Sequence, residues 1–375
     1  MNKECNIFLT TAFGLEAVAK RELFSQGFDN LTVEDGRISF KGLLNDIPRL
    51  NLWMRTADRV YLMISEFNST DFESLFNNVA CIPWKDYIDD NQKIIVNGKS
   101  VKSKLHFVPA CQSIIKKAVI KSISEADNKR LPETGSEIRI FFSILKDRVT
   151  IALDSSGDAL FKRGYKSNVE ATLKETLAAG IVLISRWNKE SLLIDPMCGA
   201  GTILIEAGMI AKNIAPGIQR RFAAESWKFI SPDIWDKARK NAKKARKKRA
   251  EKCIFGYDSD ASAIDIAISN AKIAGVDDIV RFEVKKLDEL WIDQENGTMI
   301  TDPPYGIRLE NAKTARKIIK QLGKMFRKKS GWSSFILSPS PEFQSLFGRK
   351  PDRKRKLYNG KIKVNLFQYM STLLP

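Results

Sequence analysis

From about residue 161 onward, short apolar segments alternate with stretches of helical periodicity, and no other feature of the chain restricts its fold as much. The segments are LLIDP (192–196), CIFGYD (253–258), IVRFEV (279–284), GTMITD (297–302) and SSFILSP (333–339). Runs this short and this apolar suit strands covered on both faces, with the helices between them as crossovers. The pattern predicts an α/β domain over 161–375 built on a mostly parallel, doubly wound sheet. In such sheets ligands bind beyond the carboxyl ends of the strands, so the residues closing each segment carry the functional information.

Two smaller α+β units precede it. Residues 1–67 read strand, helix, strand, strand, helix, strand, with a first helix stopping at Gly27 and a hairpin at Asp35-Gly36, the order of a ferredoxin-like unit. Residues 68–160 hold a helix near 72–82, a strand at KIIVNGKS, a helix over 108–122 and the strands EIRIFFSILKD and RVTIALDSS. Gly157 marks the joint to the last domain.

Several function classes are excluded by counting. The only histidine, His106, leaves no partner for a Ser-His-Asp triad and no cluster for a metal; between apolar neighbours it reads as structural. Five scattered cysteines without a C-x-x-C argue against a disulfide framework or a zinc site and suit the reducing cytoplasm. The longest apolar stretch, near 178–184, is too short to span a membrane, and MNKECNIF lacks the features of an export signal. Oligomeric state is not legible in the sequence.

Net charge is +18, and its location matters more than its size. Residues 1–160 hold 21 basic and 21 acidic side chains, so the whole excess belongs to residues 161–375. Within the neutral part, 91–124 carries seven lysines and no acid. Two denser runs lie further on: nine Lys/Arg among the thirteen residues 237–249, on a helix marked by Ala238, Ala242 and Ala245, and RKPDRKRK at 349–356. Either can be a solvated face or a phosphate-binding surface, and neither contains an aromatic for reading bases.

The first segment runs into Asp195-Pro-Met-Cys-Gly199-Ala-Gly201-Thr202 and then a helix. The glycines allow a tight turn and close backbone approach, and the helix start offers free N–H groups. Leu204 stands where a dinucleotide fingerprint needs its third glycine, and no phosphate-binding G-x-x-x-x-G-K motif exists. The spacing Asp-x-x-x-Gly-x-Gly resembles the first-loop pattern of S-adenosylmethionine methyltransferases. The second segment ends at Asp258, placed to accept hydrogen bonds from both ribose hydroxyls, with Asp260 as the N-cap of the next helix.

The fourth segment ends in Asp302-Pro303-Pro304-Tyr305-Gly. Two prolines fix the backbone and remove two donors, leaving the Pro303 carbonyl and the Asp302 carboxylate as acceptors for an exocyclic base amine. Tyr305 would stack on a base taken out of its helix. Methyl transfer to such an amine needs alignment and polarity more than a strong base, which fits a chain with one histidine.

With TTAFGLEAVAKREL, SVKSKLHFVPACQSIIKKA, LFKRGYK, DPMCGAGTILIEAG, FGYDSD and TDPPYGIR in this order, the sequence resembles THUMP-domain RNA methyltransferases that make N2-methylguanosine. The likeness is greatest to the N-terminal half of the bacterial 23S rRNA methyltransferase K/L type and covers essentially the whole chain. It implies that Asp195, Pro196, Met197, Cys198, Gly199, Gly201, Thr202 and Asp258 hold S-adenosylmethionine, and that Asp302, Pro303, Pro304 and Tyr305 hold the target guanine. Thr172 and Leu173, where relatives often have Pro-Leu, would close over the methionine end. Asp288, or backbone around Leu287, would meet the adenine. RNA contacts would fall on Lys99, Lys102, Lys104, Lys116 and Lys117 of the THUMP region and on Arg308. The expected function is methyl transfer to guanine N2 in structured RNA, 23S rRNA before tRNA, without a metal. N6-adenine methylation and an inactive RNA-binding assembly factor are the alternatives.

Overall fold

The computed structural model describes residues 4–124, 132–166, 173–248, 253–305, 309–327 and 329–372. The N-terminal part runs β1 (Glu4–Thr11), α1 (Glu16–Ser25), β2 (Thr32–Glu34), β3 (Arg37–Leu43), α2 (Asp46–Trp53) and β4 (Ala57–Asn68). It continues with α3 (Phe72–Ala80), β5 (Lys93–Val101), α4 (Val108–Ser124), β6 (Glu137–Leu145) and β7 (Arg148–Asp154). These strands form one seven-stranded sheet in the order β2-β3-β1-β4-β7-β6-β5, antiparallel except for β5 beside β6. The two units read separately in the sequence thus share a sheet, because β4 is twelve residues long and pairs with β7 from Tyr61–Asp154 to Asn68–Arg148.

Alternation along the strands explains the layering. In β6, Ile138, Ile140, Phe142 and Ile144 are buried and face the helices, with Ile115 and Val119 of α4 in the same core. On the other face Phe8 stacks on Tyr61 at 4.7 Å, Phe141 packs tilted against Tyr61 at 4.6 Å, and the Arg37 guanidinium lies 4.1 Å from the Phe8 ring.

The C-terminal part holds α5 (Glu175–Ser185), β8 (Leu193–Asp195), α6 (Thr202–Ala211), α7 (Pro232–Lys244), β9 (Ile254–Asp258), α8 (Ala261–Ala274) and β10 (Val280–Val284). After these come β11 (Asn296–Thr301), α9 (Leu309–Phe326), β12 (Gly331–Ser338), α10 (Phe343–Phe347), β13 (Arg353–Asn359) and β14 (Ile362–Tyr369). Its sheet has the order β10-β9-β8-β11-β12-β14-β13, parallel through β12 and antiparallel at β14. All five expected strands are present. Chain order reverses between β8 and β11, and that switch opens a crevice above their carboxyl ends.

The β13–β14 hairpin is absent from the sequence reading. Residues 349–356 look there like a charge run, whereas residues 353–356 start the edge strand of the second sheet, where cations discourage pairing with a further chain. The run 237–249 does lie largely on a helix: Trp235 and Ala242 of α7 are buried and its lysines face solvent. His106 is not the packed side chain its neighbours suggest. It is exposed, with Nδ1 3.0 Å from the Lys104 carbonyl.

Candidate active site

Three acidic residues end three neighbouring strands at the crevice: Asp195 on β8, Asp258 on β9 and Asp302 directly after β11. Between Asp195 and α6 the chain makes the glycine turn, and the two glycines do different work. Gly199, at φ +50°, has no described atom within 4 Å of where a Cβ would sit, so the loop opens onto free space there. Gly201, at φ +78°, faces inward: a Cβ would come 2.7 Å from Phe282 Cζ and 3.1 Å from Ala267 Cβ. The first glycine leaves room for a ligand; the second lets the loop pack on β10 and α8.

The loop is held from several sides. Met197 N–H donates to Asp195 Oδ1 at 3.1 Å, Cys198 N–H to the Tyr257 carbonyl at 2.9 Å, and Gly199 N–H to Asp258 Oδ2 at 2.9 Å. Asp258 Oδ1 accepts the Asp260 N–H at 3.1 Å. Each oxygen of Asp258 retains accepting capacity, and its orientation is fixed before any ligand arrives. Asp260 caps α8, its Oδ1 accepting the Ser262 N–H at 2.9 Å. Asn270 of α8, buried, donates to the Ala200 carbonyl at 3.2 Å. Sequence reasoning missed Asn270; its signal is an amide at an apolar position of the α8 period. Pro196, Cys198 and Thr202 are buried, and α6 starts with no acid in its first turn and no side-chain cap.

Burial governs the acids. It pushes Asp195 up to about 7, with Asp302 and Asp258 adding like-charge repulsion, while Thr301 and the Met197 N–H pull the value back. Burial likewise pushes Asp302 up to about 6, with the nearby Tyr305 hydroxyl favouring the ionised form. Burial, then the Asp302 charge, raise the Tyr305 phenol well above its usual range. Asp302 is half-exposed as a residue, but its Oδ1 is fully buried. That atom, the Tyr305 hydroxyl and Thr301 Oγ1 lack a partner in good hydrogen-bond geometry among the described residues. Unpaired buried polar atoms are costly, and their grouping at the β11 end marks a place built for something else.

The remaining expected residues divide. Pro303 is buried and Pro304 exposed, while Tyr305 packs partly against the core around α5 and α6. Leu287, half-buried, packs in a cluster with Met197 and Tyr257 beside the strand ends, with Asp288 exposed next to it. Leu173 is buried before α5, and its carbonyl accepts from Lys166 Nζ at 2.8 Å. Thr172 and Arg308 lie outside the described residues. Lys99, Lys102 and Lys104 gather at one end of the first sheet, whereas Lys116 is tied to Glu133 at 2.8 Å and Lys117 is exposed beside it.

Free space over Gly199, a pre-set carboxylate at the β9 end and an uncapped helix start fit S-adenosylmethionine, whose sulfonium is a cation that acids favour. The comparisons agree. Residues 163–368 match the RMKL-like methyltransferase domain, 6–61 the RlmL ferredoxin-like domain and 69–154 the THUMP domain. The chain is 39% identical to YpsC of Bacillus subtilis (strain 168), a protein provisionally named an RNA methyltransferase, over 100% of this chain and 98% of that one. It is 32% identical to ribosomal RNA large subunit methyltransferase K/L of Syntrophotalea carbinolica over 98% of its own length, and spans 54% of that longer protein. Among solved structures, SMU.472, described as a methyltransferase and complexed with S-adenosylhomocysteine, aligns at a TM-score of 0.93 and 39% identity over 100% of both chains. A Listeria monocytogenes protein described as a predicted N6-adenine-specific DNA methylase gives 0.93 and 39%, over 98% of this chain and 97% of that one. Built on this crevice, with S-adenosylmethionine as its cofactor, the chain belongs to the RMKL-like methyltransferase family and carries the RlmL ferredoxin-like and THUMP domains ahead of its catalytic domain.

Proposed function

We propose that the protein methylates the exocyclic N2 amine of a guanine in structured RNA, with large-subunit rRNA as the substrate class. The observation that carries the reading is the buried Oδ1 of Asp302, which has no partner in good hydrogen-bond geometry among the described residues, beside the proline-fixed turn and Tyr305. An aromatic amine offers two N–H donors and needs two acceptors to turn its lone pair out of conjugation. Asp302 and the Pro303 carbonyl supply them, and Tyr305 provides the ring on which the base stacks. The cofactor, held by the loop from Asp195 to Thr202 with Asp258 on its ribose, supplies an electrophilic methyl group. With the methyl group transferred to the amine nitrogen, Asp302, whose raised value suits it to the task, would take the amine proton and release it to water.

The division of labour follows the domains: residues 1–160, with the acid-free lysine segment 91–124, grip the RNA, and 161–375 perform the chemistry. RNA rather than DNA is favoured by the THUMP domain and by the names of the curated relatives. N6-adenine transfer is the second reading, favoured by the description of the Listeria neighbour, since an adenine amine meets the same two acceptors. Asp302→Ala should retain cofactor and RNA binding and lose methyl transfer by at least about a hundredfold. Labelled S-adenosylmethionine with rRNA, tRNA and DNA, followed by nucleoside mass spectrometry, reads both points. Normal transfer by the variant would overturn the assignment of Asp302, and label in N6-methyladenosine the assignment of the base.

A further inference from the structure

A second cavity opens on the crevice edge of the second sheet, where the N-terminal part meets the catalytic domain. β14 begins at the carboxyl end of β12, with Asn365 opposite Ser338, so the turn that joins β13 to it stands at that edge. α5 leads down into the amino end of β8, which places its own start at the same edge. The turn from β1 to α1 comes in from the N-terminal part. Together they enclose about 380 Å³, lined by Phe13, Asp58, Lys174, Thr176, Tyr358 and Gly360. Across β11, β12, β14 and β13 the sheet takes three strand spacings, so the end of β13 stands about 14 Å from the strand end that carries Asp302.

The cavity has an aromatic wall and an acid with capacity to spare. Phe13 and Tyr358 meet edge to face at 5.7 Å, and the Lys356 ammonium braces both rings at 5.5 and 5.3 Å. Phe13 is nonetheless 42% exposed. Gly360, at φ +62°, has no described atom within 4 Å of where a Cβ would sit, so the wall is open on that side. Asp58, half-buried, accepts from Thr176 Oγ1 at 3.2 Å through Oδ1, and Lys174 favours its charge from nearby. Neither Asp58 nor Lys174 is in an ion pair among the described residues, and Oδ2 of Asp58 accepts no hydrogen bond from them. An exposed ring beside such a carboxylate suits an unpaired base, which stacks on the one and donates N–H groups to the other. Among the RNA bases guanine alone offers two adjacent N–H donors on one edge, N1–H and the 2-amine, which a carboxylate accepts as a parallel pair.

We propose that this cavity takes an unpaired guanine flanking the target nucleotide, its base stacked on Phe13 and its N1–H and 2-amine on the Asp58 carboxylate. The inference rests on the RNA reading above and adds a second base site, which selects the sequence around the target. The site lies outside the THUMP match at 69–154: Phe13 and Asp58 belong to the ferredoxin-like unit, Lys174 and Tyr358 to the catalytic domain.

The test uses the full chain and hexanucleotides of uridine that carry one 6-thioguanosine or one 6-thioinosine, which lacks the 2-amine. Near-ultraviolet light cross-links the sulfur to adjacent side chains, and peptide mass spectrometry separates this cavity (Phe13, Tyr358) from the crevice (Tyr305). In the wild type 6-thioguanosine should label both places, and 6-thioinosine should label the cavity about tenfold less. Asp58→Asn, which keeps an acceptor for Thr176, should lower the cavity label from 6-thioguanosine about tenfold and leave that at Tyr305 unchanged. Label at Tyr305 with none in the cavity would overturn the second site while leaving the RNA reading intact. Equal cavity label from the two purines, or no loss in Asp58→Asn, would overturn the assignment to guanine and to Asp58. Label at neither place would overturn the RNA reading as well.

Discussion

Asp195 and Asp302 show what a single buried carboxyl can report. Burial raises both, to about 7 and about 6, from an ordinary value of 3.8. For an acid raised in the folded state, ionisation destabilises the fold: the cost is absent below about pH 4, grows through pH 6–7 and is complete by about pH 8. With S-adenosylmethionine bound as proposed, its cation would favour the ionised form, so cofactor binding should release protons near neutrality. Calorimetry at pH 6.5 in two buffers of different ionisation heat should show proton release for S-adenosylmethionine, and less for S-adenosylhomocysteine, whose sulfur is neutral. Affinity for the former should rise between pH 5.5 and 7.5. Asp195→Asn should raise the melting temperature of the ligand-free protein at pH 8 while weakening the cofactor. Binding without proton exchange, or a variant less stable at pH 8, contradicts the role given to burial here.

Elements meet through residues whose purpose is invisible one segment at a time. Leu15, just before α1, and Val18 of α1, in the motif that opens the chain, are buried in the catalytic core with residues of α5. Gly14, at φ +92°, lies where a Cβ would be 2.4 Å from the Lys356 carbonyl on β13, and a Cβ on Gly180 of α5 would strike Leu15 at 2.7 Å. Beneath this contact Arg163 and Glu206, 2% and 0% exposed as side chains, pair at 3.4 Å, and Tyr165 donates to the same carboxylate at 3.1 Å. Arg55 adds its charge, and its carbonyl accepts from Arg163. The segment LFKRGYK therefore latches the N-terminal part to the catalytic domain. Removing one member strands the others, so Glu206→Leu should cost about 3–5 kcal/mol in urea unfolding, and adding Arg163→Leu should recover a large part. A single variant within about 1 kcal/mol of wild type would rule out the latch. Strands and helices with clear periodicity were legible in the sequence, as were the glycine loop and the Asp-Pro-Pro-Tyr turn, whose residue types are local demands of backbone and chemistry. The shared sheet, the inward role of Gly201, Asn270 and the latch were not, because each depends on which distant segment lies opposite.

At the scale of the whole molecule the +18 excess separates into spent and available charge. On β13, Lys356 sits 5.5 Å from the Phe13 ring and 5.3 Å from Tyr358, Lys354 lies over Phe367, and Arg355 reaches the Gly14 carbonyl, so much of that run is structural. The end of α7 differs. Lys243, Arg246, Lys247 and Lys248 line a cavity of about 480 Å³ with Lys212 and Asp278, and the buried Lys212 already engages Asp278. Arg246 donates to the Gly275 carbonyl at 2.8 Å, which leaves Lys243, Lys247 and Lys248 facing solvent near the amino-terminal edge of the sheet, away from the crevice. An RNA long enough to reach both the crevice and this surface would release counterions at each, and every phosphate contact adds about 0.7–0.9 to the slope of log affinity against log salt. Lys243→Gln, Lys247→Gln and Lys248→Gln together should lower that slope by roughly 2 for a long structured RNA, leave it unchanged for a short hairpin confined to the crevice, and leave cofactor affinity as it was. Titrations between 50 and 200 mM salt read all three. If the long RNA keeps its full slope, the α7 charge serves solubility alone, and the RNA is held by the crevice and the THUMP end without a third point of contact.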